Sequence, residues 1–291
     1  MKNLSISGVT PVILGLLFML SSCEKPVEQT NREVFFKIGM DQAFRFDDIA
    51  LYDSSTHILY FKDAQSEFEE IFQGPFAFFD KGDTIYAGVF VPGYSSFIPA
   101  GPMIPSPGMY GNHALRIEIW RDSKPDIRNC PRIIEPLKEH NLLHSGLSGT
   151  IDLLQITGTQ LSFRFTIENH DSDDLLIIDM NKTGINLFHY FTNGLYLRDQ
   201  NHNEVFSSTI THQKPEPWNS WKAEWLSVLK SGNSISFTIN YPIETPINPG
   251  EYNVLFEFPG LAYQVTKEQL YQGNNRIWLG DITLRGKITI Q

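Results

Sequence analysis

His140 and His144 bracket Asn141-Leu142-Leu143, a spacing that places two imidazoles on one face of a helix. Cys130 lies ten residues upstream of the first and would add a thiolate, so Cys130, His140 and His144 form the weak metal candidate and the basis of a metal-dependent hydrolase. A hydrolytic zinc helix carries a glutamate directly after its first histidine as general base. Here that position is Asn141, and Glu139 stands on the wrong side. The favoured reading is therefore two ordinary boundary histidines and a small buried thiol. Asn169-His170-Asp171-Ser172-Asp173-Asp174 offers alternating oxygen donors. A twelve-residue calcium loop needs glycine sixth and glutamate twelfth, where this chain has Asp174 and Met180.

The segment from Pro215 to Trp225 holds three of the five tryptophans, Trp218, Trp221 and Trp225. They share a face if Pro217 opens a helical turn. Exposed, these indoles would stack on sugar rings while Asn219 and Glu224 bond hydroxyls, which makes these five the candidate ligand-binding residues. Buried, the same indoles would close the end of a β-sandwich. No GxSxG turn and no local Ser/His/Asp set appears, and no GxGxxG or phosphate-loop spacing occurs. The carboxylate pairs Glu69-Glu70 and Asp173-Asp174 lie in polar stretches and read as solvated surface. No catalytic residue is assigned, no cofactor is expected, and the chain reads as non-enzymatic.

The elements that must position these groups are strands. Apolar and polar residues alternate over Glu33 to Ile38, Asp48 to Tyr52, Ile58 to Phe61, Phe76 to Phe79, Thr84 to Phe90 and Leu115 to Trp120. Asp80-Lys81-Gly82-Asp83 reads as a hairpin turn. Between residues 92 and 112 prolines and glycines interrupt the chain among Tyr94, Phe97, Ile98, Met103 and Met109, predicting a loop that either packs on its domain or meets a partner. A helix is expected over Pro136 to His144, capped by Gly146, with a small-residue hinge at Ser145 to Gly149. Beyond it, Gln160 to Glu168, Leu175 to Asp179, Gly194 to Arg198, Ser234 to Ile239, Glu251 to Phe258 and Ile282 to Ile290 read as strands separated by turns.

The 291 residues suffice for about two domains, and 41% apolar with 19% charged residues is a globular balance. A net charge of −10 without any Lys/Arg cluster excludes nucleic acid as partner. Met1-Lys2-Asn3, an uncharged run from Leu4 to Leu20, and Leu20-Ser21-Ser22-Cys23 together resemble a bacterial, Bacteroidota-type lipoprotein signal peptide with its lipobox. That resemblance implies cleavage before Cys23, diacylation of its thiol, and a membrane partner reached through the lipid. The outer membrane is the expected location, with the leaflet left open. Acylation would leave Cys130 as the remaining thiol, so the folded part must hold together by packing.

Leu229-Lys230-Ser231-Gly232-Asn233 followed by Ser234-Ile235-Ser236-Phe237, and Pro249-Gly250-Glu251-Tyr252-Asn253-Val254, resemble the edge of an immunoglobulin-like domain. In that resemblance Tyr252 is a tyrosine-corner residue. The expected organisation is mainly β: signal peptide 1–22, lipidated Cys23 and tether 23–32, a β-rich N-terminal domain 33–145 with the loop 92–112, and an immunoglobulin-like β-sandwich 146–291. The expected function is that of a cell-envelope lipoprotein binding a glycan or protein partner; the alternatives are the hydrolase above and a spacer without a ligand. Metabolic labelling with a fatty-acid analogue checks the anchor: Cys23→Ala is expected to abolish incorporation, and a variant that still labels would remove the claim.

Overall fold

The computed structural model describes residues 33–65, 68, 74–96, 98–105, 107–119, 126–192, 194–208, 213–218, 220–261 and 265–290. The signal peptide, Cys23 and the tether lie outside the described residues, as do Asn219, Glu69 and Glu70. The fold is mainly β, a β-rich N-terminal part followed by an immunoglobulin-like sandwich.

In the N-terminal part, a five-stranded sheet runs in the order Gln42–Arg45, Val34–Ile38, Gly74–Asp80, Asp83–Val91, Met103–Pro105. It packs on a four-stranded sheet of Ala114–Arg116, Ile58–Phe61, Ile49–Asp53 and Leu143–His144. The phenylalanines do the joining. Phe36 and Phe44 of the first sheet meet Phe61 of the second with ring centroids 6.2 and 4.7 Å apart, and Phe68 closes on Phe61 at 5.0 Å. Each fully buried ring contributes on the order of 2 kcal/mol through area removed from water. The Pro/Gly-rich loop divides in two: Met103, Ile104 and Tyr110 are buried, whereas Tyr94 and Ile98 stand exposed.

All four residues of Ile58–Phe61 are buried, which breaks the alternation expected of a half-exposed strand. Leu59 and Phe61 face the N-terminal core, while Ile58 and Tyr60 belong to the core of the C-terminal half. This sheet is therefore covered on both faces, and a continuous apolar run is what such a strand requires.

The sandwich pairs a three-stranded sheet, Leu147–Thr157, Gln160–Asn169 and Ser234–Pro242, with a four-stranded one, Glu204–Ser207, Leu195–Arg198, Gly250–Pro259 and Asp281–Ile290. Leu161, Phe163, Phe165 and Ile167 point inward on one face as the sequence pattern predicts. Phe163 and Phe165 meet Phe256 across the layers at 5.0 and 4.7 Å. A third sheet, of Leu226–Leu229, Leu175–Ile178, Asn275–Ile277 and Tyr271–Gln272, completes that half. Tyr252 donates its hydroxyl hydrogen to the carbonyl of Asn248 at 2.7 Å, the tie-back that a tyrosine corner makes.

The helix differs from its expected span. It covers Pro131–Glu139, because Pro131 takes the first helical position and Ile133 with Leu137, one turn apart, bury together against the N-terminal core. Asn141, at φ +56°, turns the chain out of the helix, so Gly146 is not its cap. Of the expected hinge, Ser145 and Gly146 link two strands, and Leu147 to Gly149 already belong to an eleven-residue strand. Gly146 serves another purpose: at φ +64°, a Cβ there would stand 2.1 Å from Ser55 Oγ and 2.3 Å from Asp53 Oδ1. Two helices that the sequence pattern did not reveal, Met180–Thr183 and Ile185–Phe191, follow Leu175–Ile178.

Candidate functional site

Arg276 is fully buried, and its surroundings are acidic. Its Nη1 and Nη2 both donate to Asp53 Oδ2 at 3.2 Å, and Nη2 donates to Asp171 Oδ2 at 2.7 Å. Its Nε lies 3.6 Å from the Asp173 carboxylate, and the guanidinium stands 5.9 Å from the centre of the Tyr60 ring. Asp53 and Asp171 are themselves fully engaged. Asp53 Oδ1 accepts from the Ser55 amide at 3.0 Å and hydroxyl at 2.6 Å. Asp171 also accepts from the Gly146 and Asp173 amides and bonds His144 Nδ1 at 2.7 Å.

Burial alone would raise the Asp171 pKa, but the hydrogen bond from His144, the Arg276 charge and the Asp173 amide hold it well below the usual carboxylate range. Burial likewise opposes the charge on Arg276, and Asp53, Tyr60 and Asp171 outweigh it. The polar loop Asn169 to Asp174 thus explains itself: its side chains close local turns and face an arginine.

Among the described residues, the group whose metal-ligating atoms converge is His144, Asp171 and Asp173, all within 4.8 Å of one another. The donor set does not fit a divalent cation, because the Arg276 guanidinium already supplies the positive charge and both Asp171 oxygens are spent on protein donors. The sequence-level trio does not assemble. The helix ends before His140, whose ring stacks on Phe46 at 4.2 Å, while His144 sits on a strand beside Ile49–Asp53. Cys130 is half-buried against the N-terminal core.

The tryptophan segment also departs from its expected geometry. The described residues 213–218 and 220–222 form no helix, and one 3₁₀ turn at Ala223–Trp225 follows, so the three indoles do not line up on a helical face. Trp225 is buried against Phe191, and Trp221 packs half-buried on the sandwich core. Trp218 is 56% exposed, and its carbonyl accepts a hydrogen bond from the Tyr190 hydroxyl at 3.0 Å. Glu224 is exposed and pairs with Lys222.

A groove of about 670 Å³ lies between the two halves. Strand Asp281–Ile290 gives it a floor, since Asp281, Thr283 and Arg285 alternate onto the face opposite buried Leu284, and Glu257 lies directly across from Thr283. The turn at Ser55 to His57, with Arg116, Glu118 and Arg128, supplies the walls. Arg116 grips Asp281 through two hydrogen bonds of 2.5 and 2.9 Å. Sequence reasoning missed this groove and the buried arginine. A trace existed in Arg276, a charge set beside Ile277-Trp278-Leu279, but its partner Asp53 lies 223 positions away.

Fold and site together describe a mainly β protein with a buried arginine–carboxylate cluster, an exposed tryptophan and a groove lined by charges of both signs. No family model and no curated protein matches the chain. Among solved structures it is similar to the β-glucosidase from Kluyveromyces marxianus, at 11% identity over 50% of this chain and 14% of that one, with a TM-score of 0.23. The yjhA protein from Bacillus subtilis is 17% identical over 49% of this chain and 92% of its own, TM-score 0.23. The β-glucosidase from Listeria innocua is 14% identical over 48% and 16%, TM-score 0.19. The chain spans a small fraction of either glucosidase.

Removing the central cation would strand two buried carboxylates. Arg276→Met is expected to destabilise the fold by about 3–5 kcal/mol, read from urea unfolding. Acid should act on the same cluster from the other side. Because Asp171 binds its proton less readily folded than unfolded, its contribution is complete above the ordinary carboxylate pKa of about 4 and is lost as pH falls below it. Melting temperature followed from pH 5 to pH 2 is expected to fall, and Asp171→Asn, less stable at pH 5, should fall less steeply.

Proposed function

We propose that the protein is a lipid-anchored envelope protein, held to a bacterial membrane through Cys23, that binds a glycan or an envelope protein without turning it over. The anchor rests on the lipobox residues Leu20-Ser21-Ser22-Cys23. Among the described residues no helix is long and apolar enough to cross a membrane. The binding half rests on one observation, the exposure of Trp218, whose carbonyl meets the hydroxyl of half-buried Tyr190. An indole left more than half in water forgoes much of the stabilisation its burial would bring, whereas stacked on a sugar ring or a partner's apolar surface it becomes an anchor. The Tyr190 hydrogen bond to the Trp218 carbonyl fixes the backbone that presents it.

The experiment is a binding screen of the full chain in detergent against immobilised glycans and candidate envelope proteins. Trp218→Ala is expected to weaken any captured ligand at least tenfold, about 1.4 kcal/mol. Unchanged affinity in that variant would remove the aromatic surface from the reading.

A further inference from the structure

The groove between the halves has a charge pattern that the Trp218 surface does not share. Three arginines, Arg116, Arg128 and Arg285, line it together with three carboxylates, Glu118, Glu257 and Asp281. Four of these six charges are already paired within the protein. Arg116 holds Asp281 in a bidentate pair and lies 3.5 Å from Glu118. Arg128 holds Asp126 just as closely, at 2.9 and 2.6 Å, and Arg285 and Glu257 are engaged as well. His57 adds no charge: burial, with Arg128 and Arg116 nearby and against the pull of Asp126, pushes its pKa down to about 3, leaving a neutral imidazole at neutral pH.

A charged ligand entering here would have to break a pair or sit beside a like charge, which costs more than it returns. A neutral ligand rich in hydroxyls faces no such cost. Carboxylate oxygens keep spare lone pairs after a bidentate pair, guanidiniums keep spare N–H groups, and each can take a hydroxyl from the ligand. Thr283 adds a hydroxyl of its own, and the buried Thr56 Oγ1 has no hydrogen-bond partner among the described residues. The paired strands hold Thr283 opposite Glu257, so both stand side by side on the groove floor. The volume falls within the range of about 300–1,000 Å³ that small-ligand sites occupy.

We propose that this groove binds a neutral oligosaccharide, gripped by the charge-paired side chains of both halves and distinct from the Trp218 surface. The test is calorimetric titration of the full chain in detergent with cellotriose, maltotriose, laminaritriose, mannotriose and chitotriose as neutral probes. Trigalacturonate and triglycine serve as the anionic and zwitterionic ones. At least one neutral trisaccharide is expected to bind saturably and the two charged probes not to bind. Thr283→Val and Glu257→Gln, both on the groove floor, should each weaken that binding at least fivefold with the melting temperature unchanged. The proposal is overturned if no neutral probe binds, if a charged probe binds as tightly as the best neutral one, or if both variants keep wild-type affinity. Trp218→Ala separates the two surfaces: sugar affinity lost in that variant yet kept in both groove variants belongs to the tryptophan and not to the groove.

Discussion

A single buried guanidinium sets the terms for the rest of this molecule. Taking Arg276 out of water costs several kcal/mol, and the cost is met because Asp53, Asp171 and Asp173 converge on it from separate stretches of chain. The carboxylates must be held close to it, since a buried charge left without a partner is costly. That demand explains a set of otherwise unrelated details. Gly146 lacks a side chain where one would strike Asp53 and Ser55. Ser55 gives both its amide and its hydroxyl to Asp53, and Trp278 lies within reach of the same hydroxyl at 3.4 Å. His144 is held by Asp171 and belongs to the strand beside Asp53.

The apolar packing repeats this union on a larger scale. The strand Ile58–Phe61 sends alternate side chains into two cores, so the sheet bearing Asp53 forms a layer between them. Polar lock and apolar layer stand next to each other, with Tyr60 lying beneath the guanidinium. The groove follows from the same arrangement. It opens where the turn Ser55 to His57 leaves that layer and meets the strand starting at Asp281, and the Arg116–Asp281 pair spans it.

Much of the fold was legible in the residues, for physical reasons that also show where legibility ends. Strands covered on one face write their burial as alternation, and Gln160 to Glu168 is legible on that basis. Tyr252 was legible because its hydrogen bond is local, reaching back four residues. The helix start is ambiguous in the sequence because Pro131 and Pro136 both suit a first turn, and Ile133 and Leu137 decide it by finding a core. His140 and His144 have the spacing of a helical pair, but the helix ends at Glu139 and Asn141 turns the chain between them. Short strands such as Leu143–His144 carry too few residues for a pattern, and the pairing of Arg276 with Asp53 is a property of the assembled chain alone.

The two-sided sheet bears on how such a chain changes over evolutionary time. Immunoglobulin-like units that each enclose their own core can be duplicated, exchanged or strung together like beads. Here the C-terminal half, sandwich and third sheet together, borrows Leu51, Ile58 and Tyr60 from its neighbour to finish its interior, and lends Arg276 in return. A gene fragment encoding either half would carry an unfinished face into any new setting. The halves are therefore bound to be inherited together, and substitutions at their shared layer are expected to occur as matched changes on both sides of it.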